Sequence, residues 1–176
     1  MHHTNHPAHT DAINPARRAD DALPYVNDPT AMTVEQLAPL LRAWAAGLYP
    51  AEAGVELLIA HRTWLQRRDF ILALVDTIDE GWGPGGTVIP MASIDWDRVQ
   101  AFLTATYGST SEINILRIAA SLAGATIPTS LLVMTASLDT TNAALVLDAL
   151  AHRYGWHEHG TTHTTTGHLT HSETSA

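Results

Sequence analysis

The apolar positions of this chain recur at helical spacing over nearly the whole of its middle, and they are densest between Thr110 and Gly155. There Ser109 stands three residues before Glu112, a spacing in which each side chain satisfies a backbone donor at a helix start. The pattern predicts a helix from about Thr110 to Ala123, with Ile115, Ile118, Ala119 and Leu122 on one face, Ile113, Leu116 and Ala120 widening it, and Asn114, Arg117 and Ser121 opposite. Gly124 supplies its left-handed stop. A short segment from about Pro128 to Ser137 follows. Asp139 or Thr140 then caps a helix to Tyr154, with Ala143, Val146, Leu147, Leu150 and Tyr154 inward and Gly155 as terminator.

Upstream, Thr33 and Gln36 form a second capping-box spacing, and Leu37, Leu40, Leu41, Trp44 and Leu48 continue an apolar stripe as far as Gly47. Pro39 conflicts with this helix, because proline past the first turn costs about 3 kcal/mol. The sequence therefore predicts either a kink there or a true start near Pro39. A helix from Pro50 to about Gln66, with Ala51, Val55, Leu58, Ile59 and Leu65 inward, precedes one opened by Asp69 that buries Phe70, Ile71, Leu74, Val75 and Ile78. The run from Gly81 to Met91 is too rich in glycine for a helix and reads as a flexible connector; it lacks both glycine-rich phosphate-binding spacings. Ser93 then caps a predicted helix from Ile94 to about Thr106.

The predicted fold class is therefore all-α: about six helices in a single domain over residues 33–155. A first helical cluster spans 33–80, a Gly/Pro loop 81–92 and a second cluster 93–155. Flanking it, 1–32 and 156–176 carry histidine, proline and threonine without apolar periodicity and are expected to be disordered. Leu23, Pro24, Tyr25 and Val26 are the sole apolar cluster of the first tail.

Charge narrows the partners. Of 176 residues nine are basic, all of them arginine, and the net charge of −9 is spread over both tails and the domain. No segment is a basic platform, which disfavours nucleic acid. The chain has no cysteine, so disulfides, thiolate metal sites and cysteine nucleophiles are excluded. No secretory pattern opens the sequence and no apolar run approaches membrane-spanning length, so the expected location is the cytoplasm, with no membrane partner.

The order of the last three helices resembles the helix-turn-helix family. Leu132, Val133, Ala136, Leu138, Ala143 and Leu147 fall where that family places apolar residues, and Asp139 where it places a cap. The resemblance implies a DNA-reading face with Thr140, Thr141, Asn142 and Arg153, which would make the chain a DNA-binding regulator. Such a face offers one arginine where phosphate contacts call for several. The stretches Gly47–Ala53, Glu56–His61 and Ile115–Gly124 are similar to short helical proteins of high-GC Gram-positive bacteria, a likeness that carries no activity with it.

Candidate chemistry is sparse, and the expectation is that the chain is not an enzyme. His61 has Glu52 and Glu56 one helical turn apart upstream, without the two-histidine spacing of a zinc protease. Asp76, Asp79 and Glu80 read as a helix-end acidic cluster, balanced by Arg62, Arg67 or Arg68 or by a magnesium ion. The leading expectation is a non-catalytic interaction or accessory module that docks another protein, or a second copy of itself, through Leu131, Met134 and Leu145. An alternative lies in the tails, which hold nine of the eleven histidines. His157, His159, His163, His168 and His171 are candidate zinc or nickel ligands, and the same residues also fit an inert, solvated, low-complexity tail.

Overall fold

The computed structural model describes residues 28–159, apart from the side chains of Pro84 and His159. The first helix, α1 (Val34–Ala45), begins at the Thr33–Gln36 capping box, with both reciprocal bonds formed. It runs through Pro39 and does not begin there. Proline deprives the Glu35 carbonyl of its in-helix donor, but Glu35 and Pro39 both face water, where that carbonyl is solvated.

At the centre lies α2 (Tyr49–His61), which buries Ala51, Ala53, Gly54, Val55, Leu57 and Leu58 and is covered around most of its circumference. It packs against α1, against α5 (Thr110–Leu122) and against α7 (Thr140–Arg153). It ends earlier than its apolar run suggests, at Arg62, whose φ of 66° is left-handed. A single 3-10 turn, Trp64–Gln66, then buries Trp64 and Leu65. The indole nitrogen of Trp64 donates to the Glu112 carbonyl at 2.8 Å, and its ring meets Phe70 and Phe102, each at 5.9 Å between centroids. This aromatic trio joins α3 (Arg68–Leu74) and α4 (Val99–Ala105) to the start of α5.

Arg67 locks the same corner. Its guanidinium lies over Trp64 at 4.5 Å and Tyr107 at 4.7 Å, and donates to Asp69 and Thr106 and to the Tyr107 carbonyl. The guanidinium, with help from the Thr106 hydroxyl, holds the Asp69 carboxyl down at about 2. The stability that Asp69 contributes is present above its ordinary value of 3.8 and is lost as pH falls towards 2.

The all-α expectation requires correction between α3 and α4. Instead of a helix reaching Ile78 and a flexible connector, the chain forms an antiparallel hairpin of β1 (Val75–Trp82) and β2 (Val88–Ile94), turning through Pro84–Gly86. Val75 pairs with Ile94 and Trp82 with Val88, with a bulge between Ile78 and Gly81. The fold is thus mostly helical with one small sheet, and β2 packs on α1. Ser93 lies within β2 and opens no helix. The cap belongs to Asp95, whose carboxylate accepts from the Arg98 amide ahead of α4. Asp76, Asp79 and Glu80 accordingly sit on a strand, while Arg62 pairs with Glu35 and Arg67 with Asp69.

In the last third α5 and α7 agree with the predicted spans, and α6 (Leu131–Thr135) is shorter. Asn114, expected on an outer face, is 2 % exposed: its amide donates to Ser137 Oγ at 2.9 Å and to the Val133 carbonyl, tying α6 to α5. Leu147, expected inward, is 54 % exposed, and Tyr154 also faces out. The reason is that α7 packs chiefly on α2, so its buried stripe runs through Val146 and Ala149.

Candidate functional site

The start of α2 meets the end of α7, and the two helices run antiparallel with a groove of about 440 Å³ along their junction. Leu57, Ala60, Leu145 and Ala149 form its apolar lining, Glu56 and Asp148 contribute carboxylates, and His152 and His157 close one end. Glu56 is held from α1 by a bidentate ion pair with Arg42, at 2.6 and 2.8 Å. Such a fork fixes the carboxylate as well as attracting it.

The histidine end gathers polar groups from three parts of the chain. Glu52 Oε1 accepts from the Gly47 amide at 2.8 Å, where Gly47 turns the chain between α1 and α2 with a φ of 82°. The other oxygen, Oε2, lies 2.8 Å from His152 Nε2 in the last turn of α7. After Gly155, whose φ of 69° reverses the chain, the 3-10 turn Trp156–His159 brings His157 back over His152. The two imidazoles stack at 4.0 Å between centroids and 13° between planes. Tyr49 meets the edge of His157 at 5.6 Å, and its hydroxyl donates to Glu158. The carboxylate and the two imidazoles place ligand-capable atoms within 4.8 Å of one another.

The sequence-predicted residues are distributed differently. Of the docking set, Leu145 lines the groove, Leu131 is exposed on α6, and Met134 is 4 % exposed and belongs to the core. The three do not form one patch; the exposed apolar residues of α6 are Leu131, Leu132 and Val133. Of the DNA-reading set, Thr140 and Thr141 are exposed at the start of α7. Asn142 is engaged with Asp139 and Ser111, and Arg153 donates to the Leu122 carbonyl. A helical rise of about 1.5 Å per residue puts Arg153 roughly 18 Å from the threonines, so the four share no contact face. Leu132 and Leu147, which a helix-turn-helix core needs inside, both face out.

Among the tail histidines, His157 stands over His152, the side chain of His159 is outside the described set, and His163, His168 and His171 lie outside the described residues. The histidine that sequence reasoning missed is His152. Its usable signal was its place at the close of an apolar helix, where an imidazole complements the dipole and can reach a neighbouring helix.

His61 stands apart from this cluster. Burial pushes its imidazole below the ordinary value, against the opposing pull of the Glu112 and Asp139 carboxylates. Its Nδ1 is buried and meets no hydrogen-bond partner among the described residues. Below the ordinary value of 6.5 the unfolded chain binds more protons at this position than the folded one. This part of the stability is therefore present above that value and is lost as pH falls. Urea denaturation at pH 7.5 and pH 5.5 should show lower stability at the acid value, and H61N should narrow the difference between them. An H61N chain with the parent's pH dependence would exclude His61 as its source.

No family model, curated protein or solved structure matches this chain. Among the described residues no helix is long and apolar enough to cross a membrane.

Proposed function

We propose that the protein is a non-catalytic interaction module whose working face is the groove between α2 and α7, and that it receives a basic amphipathic helix of another protein. The observation that carries this reading is the apolar lining that Leu57, Ala60, Leu145 and Ala149 give to the groove between the two helices. Helical ligands enter such grooves with apolar side chains spaced at i, i+3, i+4 and i+7. The net negative charge of the chain favours lysine or arginine on the flanks of that stripe. The net charge of −9 favours a cationic partner over a second copy of the chain.

Selection from a random peptide-display library tests the proposal. Enriched sequences should combine helical apolar spacing with basic residues, and L145D should weaken their binding by roughly tenfold or more, as removal of a central contact does. Enriched peptides with no basic bias, or peptides indifferent to L145D, would overturn it.

A further inference from the structure

We propose that Glu52, His152 and His157 form a binding site for a divalent transition metal ion, zinc in the first instance, at the closed end of the groove. The site goes beyond the peptide-docking reading and stands or falls separately from it. Its donors are one carboxylate oxygen and two imidazole nitrogens drawn from three parts of the chain: the start of α2, the last turn of α7 and the turn that follows Gly155. Mixed nitrogen and oxygen ligands of this kind suit zinc, nickel, cobalt or copper, whereas calcium and magnesium prefer oxygen alone.

The donor atoms are gathered, and the His157 ring must turn for the two imidazoles to share an ion, because each binds in its own ring plane and the stacked rings lie only 13° from parallel. Tetrahedral bonds of about 2.0 to 2.2 Å place neighbouring ligand atoms roughly 3.3 to 3.5 Å apart. The donor atoms here already lie within 4.8 Å of one another, and Glu52 Oε2 and His152 Nε2 are 2.8 Å apart. A metal would part that pair slightly and rotate the His157 ring out of its stack on His152. His157 is the exposed member, carried on the turn beyond Gly155, so the adjustment falls on the part of the site with least packing around it.

Two supporting contacts hold the ligands in the manner of a metal site. The Gly47 amide occupies Glu52 Oε1 and leaves Oε2 turned towards the imidazoles, and Tyr49, bonded to Glu158, braces the edge of His157. Outer contacts of this type fix ligand orientation, and their loss commonly weakens binding about ten- to a hundredfold. Three protein ligands leave a fourth position for water or for a donor from a partner.

The test uses the full chain in which His2, His3, His6, His9, His159, His163, His168 and His171 are replaced by alanine, so that the remaining histidines are His61, His152 and His157. Calorimetric titration with zinc should show one equivalent bound. H152A, H157A and E52Q should each weaken it at least about tenfold, a ligand counting for no less than an outer contact. E52Q keeps an acceptor for Gly47, and H157A alters an exposed turn, so an unchanged circular dichroism melt separates ligand loss from unfolding. Cobalt titration adds a visible spectrum that reports tetrahedral coordination and should disappear with H152A. No zinc bound in the eight-alanine chain, or binding indifferent to both H152A and E52Q, would overturn the site. Loss of zinc binding alone, with peptide enrichment intact and still sensitive to L145D, would leave the groove reading standing.

Discussion

Replacing Trp64 with alanine is expected to remove about 3 to 5 kcal/mol of stability, the range for excising a buried aromatic side chain from a packed core. Trp64 has no exposed surface, and three separate contacts depend on it. Its ring completes the trio with Phe70 and Phe102, its indole nitrogen donates to the Glu112 carbonyl at the start of α5, and the Arg67 guanidinium lies over it at 4.5 Å. Alanine leaves a cavity between α3, α4 and α5, and strips Arg67 of one of its two aromatic supports. Domains of this size are stable by about 5 to 15 kcal/mol, so the loss is a large share of the whole. Urea denaturation should show a lower midpoint with an unchanged slope. W64F should lose less, because it keeps most of the ring contact and forfeits mainly the donor. A W64A loss below about 1 kcal/mol, as for an ordinary surface change, would mean that the aromatic corner is not what joins α3 and α4 to α5.

That corner also shows what local pattern reveals and what it hides. The capping boxes at Thr33 and Ser109, the cap at Asp139 and the glycine stops at Gly47, Gly124 and Gly155 depend on residues within one turn of each other, and the structure forms them all. The hairpin was concealed because Phe70, Ile71, Leu74, Val75 and Ile78 also satisfy a helical repeat. Only the alternation of inward Val75 and Thr77 with outward Asp76 and Ile78, and the β-branched run Thr87–Ile89, favoured strands. A bulge after Ile78 interrupts even that alternation.

The candidate site was less legible, for a different reason. Glu52 and His152 are a hundred residues apart and meet only because α7 lies along α2. Apolar periodicity alone turns Leu147 and Tyr154 inward and gives His152 no role, whereas packing on α2 sets the helix at a different rotation about its axis. The apolar content of α2 gave a related ambiguity: a helix buried nearly all round has no face to mark its neighbours.

The central position of α2 leads to the second expected result, in which packing reverses the sign that helix propensity predicts. On an exposed helix, glycine to alanine stabilises by about 1 kcal/mol. At Gly54 it should destabilise. A Cβ there would stand 2.8 Å from the Ala119 backbone carbonyl, 3.1 Å from the Ala123 Cβ and 3.2 Å from the Trp96 ring. The closest of these is main chain of α5 and cannot swing aside, so α2 and α5 must separate. Overpacking of this kind costs about 1 to 3 kcal/mol, enough to outweigh the propensity gain. G54A should therefore lower the urea midpoint, and G54V should lower it further. Glu52 and Glu56 share the displaced helix with Gly54, so G54A should also weaken whatever the α2–α7 groove binds, although Gly54 lines neither the groove nor the histidine cluster. A stabilised G54A would show that α2 and α5 lie further apart than this packing, and the placement of Glu52 beside His152 would then need to be redrawn from the same helix outward.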